Sequence, residues 1–376
     1  MLRAIVVIGF ALGMGCLTAG SAAAQPQRGF GPAIGGELTP PVRGTGPTVQ
    51  LPPLVVPDFF LSCETGSDLD RDGLDDGEER CWLSKHAPVL YLPLNKDWVL
   101  PANVDWYLAR TTLRFHHNNC SDDQILPFGS VNQATLVTQK HQPKRGAVSW
   151  NPCSHTGTLI RSRNGVWNDD QHFFLQGTDA THEGSTNPAD WIVYGHVYPN
   201  DVGGVNVQYW FFYPYNDNFG SFNHEGDWET IVVQLGADLA PDGVFFCGHG
   251  SCDWFRATEF VTWYQSSHPT VWVADGSHAS YPGEWECDNA PAWAEGPGGN
   301  SCETDEDNRW FTWAGGRGTA IGIQGGGVIN VGELTRPLNK QHFISYSGQW
   351  GENGVTDTTS GPRSPSFQST WDHGRG

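Results

Sequence analysis

Val205-Asn206-Val207-Gln208-Tyr209-Trp210-Phe211-Phe212-Tyr213 and, after a polar interruption, Thr230-Ile231-Val232-Val233-Gln234-Leu235 decide the fold. Both runs are rich in β-branched and aromatic residues, and Pro214-Tyr215-Asn216-Asp217-Asn218 supplies loop chemistry after the first. They predict two strands joined as a hairpin. Thr270-Val271-Trp272-Val273-Ala274 predicts a further strand. From about residue 81 to 376 the chain is a series of short apolar runs separated by Gly, Asn, Asp and Pro, with no long helical period. No repeat of fixed length stands out, which argues against a propeller or solenoid. Short strands of this kind must bury a face against a second sheet. The expectation is therefore an all-β protein, a decorated β-sandwich with long loops over residues 81–376.

Asn223-His224-Glu225-Gly226-Asp227-Trp228-Glu229 stands at the head of the second run, and Gly276-Ser277-His278-Ala279-Ser280-Tyr281-Pro282 follows the later strand. Alternation of side chains along a strand puts Asp227 and Glu229 on one face and Trp228 on the other. Two carboxylates at i and i+2, with His224 beside them and His278 delivered from another loop, are costly to gather without a cation or a reacting group. His224, Asp227, Glu229 and His278 are thus expected to form a central site for a second divalent cation: calcium, magnesium or zinc. The plainer alternative is that the carboxylates hydrogen-bond a turn and the histidines are ordinary loop residues. If the site is catalytic, His224 or Glu225 is the candidate general base. His249 is a candidate for the rim, although an exposed turn accounts for it. Trp210 and Trp228 could lie beneath the site, although core burial accounts for both. The 17 tryptophans could include sugar-stacking platforms, but large aromatics dominate β cores and core packing is the better expectation.

Asp68-Leu69-Asp70-Arg71-Asp72-Gly73-Leu74-Asp75-Asp76-Gly77-Glu78-Glu79 carries a second, more specific signal. Counted from Asp68, carboxylates fill positions 1, 3, 5, 9 and 12, a glycine fills position 6 and the Leu74 carbonyl falls at position 7, the EF-hand-type pattern. Ca²⁺ takes six to eight hard oxygens around a tight bend that Gly73 permits. Asp68, Asp70, Asp72, Leu74, Asp76 and Glu79 are the expected calcium ligands, within a segment spanning residues 58–80. Asp75 occupies position 8, where paired EF-hands carry an apolar residue, and no amphipathic helix precedes Asp68. The loop therefore resembles the isolated calcium loops of thrombospondin type 3 and dockerin modules, and is expected to be a structural staple.

Residues 1–24 combine Arg3, an apolar stretch from Ala4 to Leu17 and Ala22-Ala23-Ala24 before Gln25, the pattern of a secretory signal peptide. The apolar stretch is shorter than the roughly 18 residues that favour spanning a bilayer. Lipoprotein anchoring through Cys16 is disfavoured because Gly13 stands where such sites usually carry Leu. Residues 25–57 are rich in Pro and Gly and read as an extended arm. Of nine cysteines, eight remain once Cys16 leaves with the signal. In an exported chain these argue for disulfides rather than metal thiolates, and no Cys-x-x-Cys occurs. Proximity suggests Cys63 with Cys81, Cys120 with Cys153, Cys247 with Cys252 and Cys287 with Cys302. The first would clamp the calcium loop, contributing about 3 kcal/mol by chain entropy. The formal charge is −20, and losing Arg3 takes it to −21. Clustered Lys and Arg are lacking, so nucleic acid is not an expected partner.

His86-Ala87-Pro88-Val89-Leu90-Tyr91-Leu92-Pro93 and Leu100-Pro101-Ala102-Asn103-Val104-Asp105-Trp106 resemble the opening of the vacuolar protein sorting 62 family. Gln208–Asn216, Gly226–Glu229, His268-Pro269 and Gly276–Tyr281 resemble its central motifs. Gly348–Gly351, Gly361–Pro365 and Trp371 resemble its tail. The resemblance spans most of residues 86–371 and implies a fold and a site, not an activity. A more distant similarity is to the necrosis- and ethylene-inducing-like proteins. These are secreted β-sandwich cytolysins whose metal-bearing His-Asp-Trp-Glu motif is matched here by Asp227, Trp228 and Glu229, with Gly226 in place of the histidine. That similarity implies a secreted, metal-dependent protein that binds a glycan or glycolipid head group, with cytolysis as one outcome. A metal-dependent hydrolase acting on an extracellular polymer or ester is the alternative, and a structural surface or matrix protein a third. The chain has no Gly-x-Ser-x-Gly elbow, His-Glu-x-x-His pair or phosphate loop, which weakens the enzyme case.

Overall fold

The strand Val205–Asn216 pairs antiparallel with His224–Leu235, from Val205 opposite Leu235 to Asn216 opposite His224. This hairpin is longer than the sequence suggested, because Pro214, Tyr215 and Asn216 belong to the strand and not to the loop. On the other edge the ladder with Ile192–Pro199 ends at Trp210 opposite Tyr194. Beyond that point the strand has a ladder on one side only. A proline, which has no N–H to donate, fits there at position 214.

The computed structural model describes residues 66–146, 150–217, 223–248, 251–290, 301–302, 308–313, 323–352, 354 and 360–375. All lie in the unit Phe59–Gly376, one of two into which the chain divides. The signal peptide, the arm, Cys16, Cys63 and His249 lie outside the described residues. Those described are mainly β. The central sheet runs Ser251–Arg256, Pro241–Gly248, His224–Leu235, Val205–Asn216, Ile192–Pro199 and Gly327–Asn330. A second six-stranded sheet is built around Val89–Tyr91, His268–Val273 and Arg309–Phe311.

Between these two sheets lies one core, in which Val207, Tyr209, Phe211, Ile231 and Val233 meet Leu90, Val271, Val273 and Trp310. The opposite face of the central sheet is covered as well. Trp210, Phe212 and Trp228 pack with Leu113, Phe115, Phe173 and Leu175 of a three-stranded sheet, with the short helix Val104–Leu108, and with Phe343, Ile344, Tyr346 and Trp350 near the C-terminus. Coverage on both faces explains why Tyr209–Tyr213 is a continuous aromatic run, where a sheet with one wet face would alternate.

A helix, Asp76–Lys85, crosses the expected boundary at residue 81, and sequence patterning missed it. Its start is set by Asp75, whose Oδ1 accepts from the Gly77 and Glu78 N–H groups at 2.8 and 3.3 Å. Three disulfides join the pairs that proximity suggested: Cys120–Cys153, Cys247–Cys252 and Cys287–Cys302. Cys81 is disulfide-bonded too.

Candidate functional site

The loop before this helix closes on itself. Asp68 Oδ2 accepts from the Gly73 N–H at 3.3 Å, Asp72 Oδ1 from the Leu74 N–H at 2.8 Å, and Gly73 takes φ +97° to make the bend. Leu74 tucks its side chain against the first core. Ligand atoms of Asp68, Asp70 and Asp72 lie within 4.8 Å of one another, as do those of Asp70, Asp76 and Glu79. Asp70, Asp76 and Glu79 are all buried. Glu79 Oε2 accepts from Asn330 Nδ2 at 3.0 Å, which ties the end of the loop to the edge strand of the central sheet. Asp70 Oδ1, Asp72 Oδ2 and Glu79 Oε1 are buried with no hydrogen-bond partner. Burial, then the charges of Asp72 and Asp76, push Asp70 up to about 7. Burial, then the charges of Asp70 and Asp72, push Glu79 up to about 9. Buried acids with unpaired oxygens form a hard-oxygen pocket suited to a cation.

Asp227 and His278 meet inside the protein. His278 Nδ1 stands 2.8 Å from Asp227 Oδ2 and its Nε2 stands 3.0 Å from Asp97 Oδ2. The ring stacks on Tyr213 at 3.9 Å between centroids, with planes 4° apart. Asp97 is fixed in turn by the Val99 N–H at 2.8 Å and the Gly276 N–H at 2.9 Å. Burial alone would lower the His278 pKa, but Asp97 and Asp227 together raise it to about 9. The imidazole lies buried between two carboxylates, which favour its charged form. Glu229 is buried two residues along the strand, opposite Phe211.

The remaining central candidate, His224, and the other candidate general base, Glu225, are engaged elsewhere. His224 Nδ1 lies 2.8 Å from the Gly226 carbonyl oxygen. Glu225 Oε1 accepts from the Gly177 N–H at 3.1 Å and lies 3.0 Å from His182 Nε2, while its Oε2 is buried without a partner. His182 stacks on Tyr215 at 4.3 Å. Gly226 adopts φ +66°, and a Cβ there would stand 2.6 Å from the Trp350 carbonyl oxygen. No histidine side chain could occupy that position in this fold. Trp228 stacks on Phe343 with planes 4° apart and meets Trp350 edge-on. Trp210 and Trp228 therefore serve the second core.

Next to the buried pair, Trp98 is 46% exposed. Its Nε1 donates to Asp217 Oδ2, and the ring leans over Tyr215 at 5.9 Å. Asn223 Nδ2 donates to Asp217 Oδ1 at 3.0 Å, and the Asp217 N–H donates to the Gly276 carbonyl at 3.0 Å. An accessible indole face thus sits beside fixed amide and carboxylate groups. Sequence patterning missed Asp97, Trp98 and His182, whose isolated positions match no spacing rule, and placed Tyr213 in a strand without its stack on His278.

No protein-family profile matches the chain, and no curated protein matches it. Solved structures with partial likeness include necrosis and ethylene inducing protein 2 from the causal agent of cocoa's witches' broom disease. It is 14% identical over 58% of this chain and 68% of that one, with a TM-score of 0.27. NLPPya in complex with glucosamine is 15% identical over 50% of this chain and 72% of that one, with a TM-score of 0.25. A protein described as a toxin fold for microbial attack and plant defense is 14% identical over 49% of this chain and 65% of that one, with a TM-score of 0.26. These likenesses are weak, so function has to be argued from the chain's own residues. Among the described residues no helix is long and apolar enough to cross a membrane.

Proposed function

We propose that the protein is a secreted, calcium-stapled member of the vacuolar protein sorting 62 type that binds a glycan or glycolipid head group at the rim formed by Trp98, Asp217 and Asn223. The observation that carries the binding reading is Trp98, an exposed indole held in one orientation by Asp217. An aromatic face flanked by directed polar groups matches a sugar ring, which offers C–H bonds on its faces and hydroxyls at its edge. Calcium at Asp68, Asp70, Asp72, Leu74, Asp76 and Glu79 would hold the segment before the sandwich in place. Its support is the set of buried oxygens without partners. A glycan array compared with liposome leakage tests the proposal. The parent should bind a defined set of sugars, Trp98→Ala should lose them, and leakage distinguishes cytolysis from recognition alone. Equal binding by Trp98→Ala would remove the rim from consideration.

A second divalent cation at His224, Asp227, Glu229 and His278 remains part of the proposal with one physical condition. His278 must give up a proton before it can offer a nitrogen lone pair. Uptake there should strengthen as pH rises toward about 9. An Asp70→Asn, Glu79→Gln, His155→Ala background that takes up no ion at any pH would count against it. The hydrolase reading is favoured by a single observation, the partnerless Glu225 Oε2 beside His182. Turnover of ester, phosphate or glycoside substrates that disappears in Glu225→Gln would establish it.

A further inference from the structure

Three imidazoles converge on one oxygen atom. The Nε2 atoms of His117, His141 and His155 each stand 2.9 Å from Asp123 Oδ2. A carboxylate oxygen has two lone pairs, so three donors exceed what hydrogen bonding alone can satisfy there. The other oxygen, Asp123 Oδ1, is taken by the Lys144 ammonium, which leaves Oδ2 as the atom facing the rings. All four ligand atoms lie within 4.8 Å of one another.

The surrounding chain holds this arrangement from several directions. His117 and Asp123 come from a pair of adjacent strands. His141 and His155 come from a long excursion whose short strands pair Lys140–His141 with Ile160–Arg161 and Lys144–Arg145 with Ser154–His155. The Cys120–Cys153 disulfide anchors that excursion to the loop between His117 and Asp123, within two residues of His155. His117 is also held from its far side, its Nδ1 lying 2.7 Å from Gln171 Oε1, an acceptor that fixes the proton on Nδ1 and leaves Nε2 for an ion. Such outer contacts orient metal-bound histidines so that Nε2 faces the ion.

We propose that His117, Asp123, His141 and His155 form a zinc site. Three imidazoles and one carboxylate make a tetrahedral N₃O set of the kind zinc accepts at about 2.0–2.2 Å, whereas calcium and magnesium select oxygen. The site is distinct from the calcium loop in residues and in ligand chemistry. His155 is 43% exposed and Asp123 26%, so an ion can enter from solvent. Its role is to pin the excursion that runs from Lys140 to Arg161 onto the three-stranded sheet, a task the hydrophobic core does not perform for His155.

The test uses the mature chain without a histidine tag, stripped with a chelator and titrated with zinc alone and with cobalt alone. The parent should take up one equivalent of zinc that Asp70→Asn, Glu79→Gln also takes up. Cobalt should give the intense visible absorption of a tetrahedral ion. His141→Ala, His155→Ala should lose that equivalent and that absorption, and Gln171→Ala should weaken uptake about 10–100-fold. The single variant His155→Ala, altered at an exposed position, provides the same reading if the double variant fails to fold. Equal zinc uptake by the parent and His155→Ala would overturn the proposal. So would zinc lost only from the calcium-loop variant, or cobalt bound without tetrahedral absorption.

Discussion

His278 shows how one side chain can set a stability profile. Its folded pKa of about 9 lies above the ordinary value of 6.5, so the protein holds that proton more tightly folded than unfolded. The stabilisation is complete below about pH 6.5 and is lost as pH rises through about 9. Urea midpoints measured across that window should fall for the parent, and the fall should be smaller for His278→Gln. His278→Ala should cost about 3–5 kcal/mol, because it leaves Asp97 and Asp227 buried with no counter-charge. A parent midpoint that rises over the same window would show that the ring is neutral. Gly226 is constrained in a different way, by backbone and contact together. Gly226→Ala should lose about 1–2 kcal/mol for the left-handed backbone alone. It should lose more from the approach to Trp350, where 2.6 Å is too close for a methyl group. An unchanged urea midpoint in Gly226→Ala would refute that account.

At the scale of elements, the acidic loop stands out in the sequence because its carboxylates are contiguous and follow the order that a calcium ion would impose. Asp75, the departure from the pattern at position 8, is explained by the helix it caps, which no sequence period announced. The central cluster was half legible. Asp227 and His278 were brought together as expected, but Asp97 reaches them from a separate loop and leaves no motif. The three-histidine cluster was not legible, because its ligands are scattered between residues 117 and 155 and only the folded excursion assembles them. The loop also makes a prediction with a definite sign. Asp70 and Glu79 bind protons more tightly in the folded ion-free protein than in the unfolded chain, with folded values of about 7 and about 9. The ion-free protein should therefore lose stability as pH rises from about 4 toward 9, and calcium should abolish the loop's share of that loss while leaving the share set by His278. Calorimetry with chelator and with excess calcium checks this. A calcium-induced rise in Tm that is as large for Asp70→Asn, Glu79→Gln as for the parent would place the ion elsewhere.

At the scale of the molecule, the hairpin Val205–Leu235 is the middle of three layers, and the C-terminal region completes the third. Phe343, Ile344, Tyr346 and Trp350 are fully buried, and Tyr107 Oη donates to the Trp350 carbonyl at 2.6 Å while Trp350 Nε1 donates to Ser364 Oγ at 2.8 Å. The stretches Gly226–Glu229 and Gly348–Gly351 are far apart in sequence but adjacent in space. Trp350→Ala removes a residue that touches Tyr107, Phe212, Trp228 and Phe343, and should cost about 3–5 kcal/mol. A chain ending after residue 341 removes four such residues at once. Their summed loss, about 8–20 kcal/mol at 2–5 kcal/mol each, reaches the whole stability of about 5–15 kcal/mol that folded domains possess. The truncated chain should be insoluble or bind hydrophobic dyes, whereas Trp350→Ala should fold with a lowered urea midpoint. If the truncated chain unfolded cooperatively with near-UV circular dichroism like the parent's, the second core would not depend on its C-terminal cover, and the three-layer account of the central sheet would have to be abandoned.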